Sequence, residues 1–502
     1  MKHFAKTGIF MMLPFLAACS SQVKGNNAAV QNYYPTGIPN VGTPTGEMAM
    51  DDACENNEDY LKIEEIDFQT PSDAPTSSFS LDSSGSSWSN IRNAVNNGYR
   101  PSPDQVIIEQ MINYFDYQDY ESPTEEPIAI YSEEKACPWN EKAVLTSVAV
   151  KSRKIDYQAT AGNNYVLLID VSGSMSSSNK LPYVKKSFSL LAEGLNDDDI
   201  LSIVTYSGKE AIVLDGAKGS EKGRIRKALY DLNANGCTNG ESGIRMAYDL
   251  AKKHFIQDGN NQILLATDGD FNVGATDNGS LEQMVSAQKE AGIFFSCFGY
   301  GMGNYKDDKM QTLALNGNGN VYYIDSESEI ERTFGGDLSS VLQVVSKDSK
   351  IQITFDDTKV SRYRLIGYEN RMMTNEDFQN EDKDAGEIYS GRCVIALYEI
   401  ETLGDDKDAL INIDFRYKDP VTNESHEILK TGADYTKTST ASYDFATIVA
   451  EAGLVMRDSK YKGTATLESV LARYDAEKET FDQDYLKKEF RDIIEKYRAL
   501  QA

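Results

Sequence analysis

Between about residues 163 and 345, short and nearly continuous apolar runs alternate with amphipathic segments. This alternation constrains the fold more than any other feature of the chain. The runs are YVLLID (165–170), ILSIVTY (200–206), EAIVLD (210–215), QILLATD (262–268), IFFSCFGYG (293–301) and VYYID (321–325). Helical segments sit between them: LPYVKKSFSLLAEGL (181–195), GRIRKALYDL (223–232), SGIRMAYDLAKKHF (242–255) and LEQMVSAQKEAG (281–292). A strand that is apolar at successive positions is buried on both faces, as in a mostly parallel sheet covered by helices. The pattern predicts a doubly wound, Rossmann-like α/β domain over 161–346, a fold that binds ligands at the carboxyl ends of its strands.

The flanking regions follow a different pattern. After 345, IQITFD (351–356), RYRLIGYE (362–369), RCVIALYEIE (392–401) and LINIDFRYK (410–418) have no helices between them, which predicts an antiparallel sheet or sandwich. Helical segments close the chain at 444–458, 466–475 and 484–501. Upstream, PSPDQVIIEQMINYF (101–115) has Pro103 near a helix start and apolar residues at i, i+3/i+4 spacing. AVLTSVAV (143–150) reads as a strand that pairs with the late strands. The α/β domain is then an insertion in a discontinuous α+β, β-sandwich host domain, built from a flanking region at 79–160 and a β-rich then helical region at 347–502.

The first 18 residues read as a secretory signal, with Lys2 and Lys6 before an apolar run from Ile9 to Ala18. The run ends in LAAC, which resembles a bacterial lipobox and implies lipidation of Cys19 and anchoring in a membrane through it. Ser20 follows; by resemblance to the enterobacterial sorting rule, a residue other than Asp there points to the outer membrane. Residues 19–78 are rich in Asn, Thr, Gly, Pro and Ser and read as a disordered tether. A second polar patch, SLDSSGSSWSN, covers 80–90. Five further cysteines, at 54, 137, 237, 297 and 393, leave at least one thiol unpaired. Cys54 with Cys137 is a possible disulfide, whereas Cys297 and Cys393 lie in strand-like runs and read as buried small hydrophobes.

Composition narrows the function classes. Asp and Glu number 78 against 50 Lys and Arg, a net charge of −28. No basic run offers the counterion-displacing surface of a nucleic-acid binder. The three histidines, His3, His254 and His426, are far apart, which disfavours zinc-hydrolase and Ser-His-Asp chemistry. GYGMGN (299–304) lacks the G-x-x-x-x-G-K-[ST] pattern, so a nucleotide is not expected.

The chemistry lies at strand ends. The first apolar run of the α/β region ends in DVSGSM, which presents Asp170, Ser172 and Ser174. ILLATDG ends in Asp268, and GCTNGES places Thr238 just before a helix. Carboxylate and hydroxyl oxygens are hard ligands, suited to Mg²⁺ rather than to zinc or copper. Taken singly, these residues also suit turns, helix caps or strand-end hydrogen bonding. Asp270 is a further nearby acid.

These residues resemble the von Willebrand factor type A domains, whose metal-ion-dependent adhesion site joins D-x-S-x-S to a Thr and an Asp from later loops. The matching positions are Asp170, Ser172, Ser174, Thr238 and Asp268. ATDGDFNVG (266–274), FGYGMGNYKDDKM (298–310), MINYF (111–115), LIGYENR (365–371) and DAGEIYSG (384–391) are similar to the bacterial YfbK-type lipoproteins of that class. The likeness spans about 79–500; it departs at the serine-rich 80–90 stretch and at Cys237, where Ser or Gly is more usual. The resemblance implies a bound Mg²⁺ (or Mn²⁺ or Ca²⁺) whose open position takes an Asp or Glu carboxylate of a protein partner. The implied function is a non-enzymatic, lipid-anchored envelope protein with an adhesion, scaffold or assembly role. The alternatives are an envelope hydrolase and a structural scaffold with a vestigial metal site.

Overall fold

The computed structural model describes residues 58–160, 162–236, 240–269, 278–289, 291–303, 305–405, 409–431 and 440–501. The signal segment, Cys19, Cys54, Cys237, Thr238 and Asp270 lie outside them. In chain order, β1 (Thr76–Ser80), α1 (Ser86–Asn96), α2 (Ile108–Asn113), β2 (Ile128–Ala136) and β3 (Ala143–Ser152) come first. The α/β part follows with β4 (Asn164–Asp170), α3 (Leu181–Gly194), β5 (Ile200–Tyr206), β6 (Ala211–Lys218), α4 (Lys222–Tyr230), α5 (Gly240–Lys253) and β7 (Asn261–Thr267). It continues through α6 (Asn278–Lys289), β8 (Ile293–Tyr300), α7 (Asp307–Asn316), β9 (Val321–Ile324), α8 (Glu327–Phe334) and α9 (Ser339–Leu342). Next come β10 (Val344–Phe355), β11 (Val360–Ile366), β12 (Met372–Met373), α10 (Asn375–Gln379), β13 (Gly386–Tyr389), β14 (Cys393–Thr402), β15 (Ile411–Lys418) and β16 (Ser425–Lys430). Helices α11 (Ala441–Met456), α12 (Leu467–Ala476), α13 (Lys478–Phe481) and α14 (Tyr485–Ala499) close the chain.

The α/β sheet runs β6-β5-β4-β7-β8-β9, parallel except for β6, which is antiparallel to β5. Its central strand shows why the apolar runs are continuous. Tyr165, Leu167 and Ile169 of β4 pack with Phe188 of α3, Ile225 of α4 and Phe334 of α8. The intervening Val166 and Leu168 pack with Ile244 and Ala247 of α5, Val285 of α6 and Leu313 of α7. Side chains alternate between faces, and both faces are core.

The remaining strands form the expected sandwich. One sheet runs β11-β14-β3-β2, and the other runs β12-β1-β10-β15-β16 with β13 also on β10. Strand β3 pairs antiparallel with β14, from Cys393↔Lys151 to Glu401↔Ala143, and β1 pairs with β10. The two segments that precede the α/β insertion thus complete sheets whose other strands follow it. Between the sheets lie Phe79, Val144, Val148, Ile351, Ile353, Val394, Tyr398 and Phe415. On its other face the first sheet carries Leu145, Ala149, Ile395 and Leu397 against Trp88, Met111, Phe445 and Phe490 of the helices.

The structure corrects the expectations for the tether, the 101–115 helix, the polar 80–90 patch and the Cys54–Cys137 pair. The tether does not run to 78: Asp59 N–H donates to Tyr305 O (3.1 Å), Gln69 pairs with Tyr363, and β1 begins at Thr76. Residues 101–115 are not one helix. A 3-10 turn at Pro103–Gln105 is followed by α2, with a break at Val106 and Ile107. Tertiary partners occupy the backbone there: the Arg457 guanidinium donates to Val106 O (2.9 and 2.7 Å), and Ile107 N–H donates to Ser87 Oγ (3.0 Å). The polar 80–90 patch is buried and runs into α1. Its hydroxyls find carbonyl acceptors, Ser83 on Glu387 O (2.7 Å), Ser84 on Val321 O (2.9 Å) and Ser87 on Gln105 O (2.7 Å). Cys137 is a buried free thiol, so it does not form the disulfide considered for it. Cys297 in β8 and Cys393 in β14 are buried free thiols, as expected. Among the described residues, no helix is long and apolar enough to cross a membrane.

Candidate metal centre at the carboxyl edge of the parallel sheet

Strands β4 and β7 are parallel neighbours in the register Ile169↔Ala266, so both chains leave the sheet at the same edge. Asp170 ends β4 and is fully buried. Its Oδ1 accepts from Ser172 N–H (2.8 Å), which turns the chain sharply into the 3-10 segment Gly173–Ser176. Its Oδ2 accepts from Thr267 Oγ1 (3.2 Å) on β7. Ser172 Oγ and Ser174 Oγ lie 3.0 Å apart, Ser172 buried and Ser174 half-buried. Asp268, one residue past β7, is buried, and Lys180 Nζ donates to its Oδ2 at 2.8 Å. Burial pushes the Asp170 carboxyl up to about 6, opposed by the Ser172 hydrogen bonds and reinforced by the nearby Asp268 charge.

Thr238 lies outside the described residues, but the chain leading to it is fixed on the same turn. Asn235 N–H donates to Val171 O (2.6 Å), and Gly173 N–H donates to Gly236 O (3.1 Å). Helix α5 begins at Gly240. The structure therefore brings Asp170, Ser172, Ser174 and Asp268 to one sheet edge. Two participants were missed in the sequence. Thr267 could have been found from the parallel register, which sets it beside Asp170. Lys180 carries no sequence signal, because a lysine at a helix start reads as solvated surface.

The donors are two carboxylates and two hydroxyls, and this set fits a hard divalent cation. Among the described residues, no group of three or more His, Cys, Asp or Glu side chains could hold a metal, so the hydroxyls are essential to that fit. A polar cleft of about 1100 Å³ opens at the opposite, amino edge of the sheet, beside Asn163 and Asn260. It shares no residue with the strand-end constellation.

Residues 164–335 match the family described as von Willebrand factor type A domain. A parallel sheet covered by helices, with Asp170, Ser172, Ser174 and Asp268 at its carboxyl edge, makes this a von Willebrand factor type A domain protein. Residues 54–147 match a family described as von Willebrand factor, and residues 340–410 and 402–500 match the C-terminal family of the uncharacterized protein YfbK. The uncharacterized protein YfbK of Escherichia coli (strain K12) is 40% identical over 352 residues, covering 69% of this chain and 61% of that protein. The chain is a YfbK-like member of the von Willebrand factor type A class. It is also 27% identical over 187 residues to the uncharacterized protein sll0103 of Synechocystis, covering 37% of this chain and 43% of that one. The solved von Willebrand factor type A structure from Catenulispora acidiphila is similar at 16% identity and a TM-score of 0.44, over 74% of this chain and 91% of that one.

Proposed function

We propose that this chain presents a metal-dependent, non-enzymatic protein-binding face on the bacterial envelope, anchored through a lipidated Cys19. The observation that carries the reading is the meeting of Asp170 and Asp268 at the carboxyl ends of adjacent parallel strands, at the same edge as two serine hydroxyls 3.0 Å apart. Asp170, Ser172, Ser174, Asp268 and, by the resemblance, Thr238 would hold Mg²⁺, with Mn²⁺ or Ca²⁺ as substitutes. A bound cation supplies an electrophilic centre for an Asp or Glu carboxylate of a partner protein. The chain's own residues set its place: Ser172 N–H and Thr267 Oγ1 orient the Asp170 carboxylate, and the Gly173–Gly236 backbone contact joins the two loops. The LAAC sequence supports anchoring, and Ser20 supports the outer membrane.

The test is thermal or urea unfolding of the purified protein with and without divalent cation. At 100-fold excess over Kd, Mg²⁺ should add about 2.7 kcal/mol of stability. Asp170→Ala should abolish that gain, Ser172→Ala and Thr238→Ala should reduce it, and all three variants should stay folded. If the wild type is indifferent to millimolar Mg²⁺, Mn²⁺ and Ca²⁺ and to chelator, the metal-dependent reading is wrong. Anchoring is tested by Cys19→Ser, which should leave the membrane fraction; persistence there after a high-salt wash refutes it.

A further inference from the structure

Lys180 lies ten residues beyond Asp170 in sequence, yet its ammonium is at the same strand edge. Its Nζ is 2.8 Å from Asp268 Oδ2, and the two side chains are 10% and 0% exposed. A buried ion pair of this kind needs a built path for the lysine stem, and the fold provides one. The stem passes over Gly301, where an added Cβ would lie 2.5 Å from Lys180 Cε and 2.8 Å from Cγ. Gly301 has φ +81°, a conformation that L side chains rarely adopt, and its carbonyl accepts from the Tyr323 hydroxyl. The backbone of Lys180 is held as well, by Lys180 N–H on Ser177 O (3.1 Å) at the start of α3. Asp170 differs from Asp268 in its partners: neutral donors, Ser172 N–H and Thr267 Oγ1, hold it.

We infer that Lys180 is a positioning and specificity-determining residue that trades cation affinity for affinity toward an acidic ligand. This inference rests on the metal reading proposed above. Two carboxylates and one ammonium leave the constellation with one net negative charge. A dication then makes it net positive, and the excess charge favours an anion at the open position. Without the ammonium, the two carboxylates alone would neutralise the dication. The cation would bind more tightly, and a carboxylate ligand would gain less from joining it. The lysine also fixes Asp268 by engaging its Oδ2, so that carboxylate is oriented as well as screened.

The experiment uses the full-length protein with Mn²⁺ as the cation and acetate as the acidic probe, read by Mn²⁺ electron paramagnetic resonance and water-proton relaxation. Lys180→Met should bind Mn²⁺ about tenfold more tightly, and its Mn²⁺-loaded form should bind acetate about tenfold more weakly. Lys180→Arg keeps the charge and should stay near wild type in both. The opposite signs matter, because mere structural damage lowers both affinities together. If Lys180→Met binds Mn²⁺ no more tightly, or if both affinities fall, the role given to Lys180 is overturned while the metal reading stands. If the wild type itself does not bind Mn²⁺ at millimolar concentration, the metal reading falls and this inference with it.

Discussion

Asp307, the first residue of α7, is buried, and its Oδ1 accepts from Tyr305 Oη (3.1 Å) and Gln311 Nε2 (3.5 Å). Among the described residues, its Oδ2 has no hydrogen-bond partner. Burial pushes this carboxyl up to about 7. In the unfolded chain an aspartate titrates at about 3.9. Between these values the folded state keeps a proton that the unfolded state has released, so stability falls as pH rises from about 4 to about 7. Asp307→Asn removes that dependence. Relative to wild type, it should be more stable by about 2–4 kcal/mol at pH 8 and close to equal at pH 4.5. Urea midpoints at the two pH values check this, and a difference that does not change with pH would refute it. At the same scale, Leu167→Ala in β4 should cost about 2–5 kcal/mol, because Leu167 is fully buried in a core with helices packed on it.

Elements from three parts of the chain meet at one arginine. Arg92 of α1 binds Asp325 after β9 (Nε–Oδ2 2.8 Å), Glu329 of α8 (2.7 Å) and Glu489 of α14 (2.8 Å). Tyr114 Oη and Arg332 also donate to Glu329. Arg92, Asp325 and Glu329 are almost wholly buried. Removing one partner leaves the others charged in low dielectric, which costs more than the net worth of the pair. Arg92→Ala should therefore lose about 3–5 kcal/mol of stability to urea unfolding; a loss under about 1 kcal/mol would mean that the network is replaceable by water. A second contact between elements is steric. Gly453 of α11 faces α2, and a Cβ there would lie 2.8 Å from Ile108 Cγ1 and 3.3 Å from Met111 Sδ. Gly453→Ala should be destabilising, although alanine is the better helix former. A raised melting temperature would show that the two helices can separate without loss.

At the scale of the whole molecule, the pairings of β3 with β14 and of β1 with β10 make the sandwich depend on segments from both sides of the α/β insertion. A fragment of residues 160–346 holds every strand of the α/β sheet and both helix layers, and it should unfold cooperatively on its own. A fragment of residues 347–502 lacks β1, β2 and β3 and would expose Val394, Ala396 and Ile395 along β14, so it should not. Limited proteolysis and urea titration of the two fragments distinguish these outcomes; a protease-resistant, cooperative 347–502 fragment would refute the interdigitated sandwich.

The sequence alone determined the five parallel strands of the α/β sheet, because strands buried on both faces must be apolar at successive positions. The EAIVLD run does not follow that rule, since β6 is an antiparallel edge strand with Ile212 and Val213 exposed. The sequence also determined the strand-end oxygens Asp170, Ser172, Ser174 and Asp268, because each closes an apolar run or follows its end directly. The pairing of AVLTSVAV with late strands was legible for the same reason: a long apolar strand outside the α/β pattern needs partners. Tertiary structure decided the rest. The serine-rich 80–90 stretch reads only as a polar patch, and its burial is decided where its hydroxyls meet carbonyls of Glu387 and Val321, more than 200 residues away. The 101–115 helix breaks because a guanidinium from α11's carboxyl end takes the Val106 carbonyl. Residues 58–78 lack local periodicity, since they are held by partners in distant elements rather than by their own pattern. Lys180 belongs to the candidate site only because α3's start, β7's end and the Gly301 turn converge. A charged side chain shows where it points only when its counter-charge is in place, and Asp268 is 88 residues further along the chain.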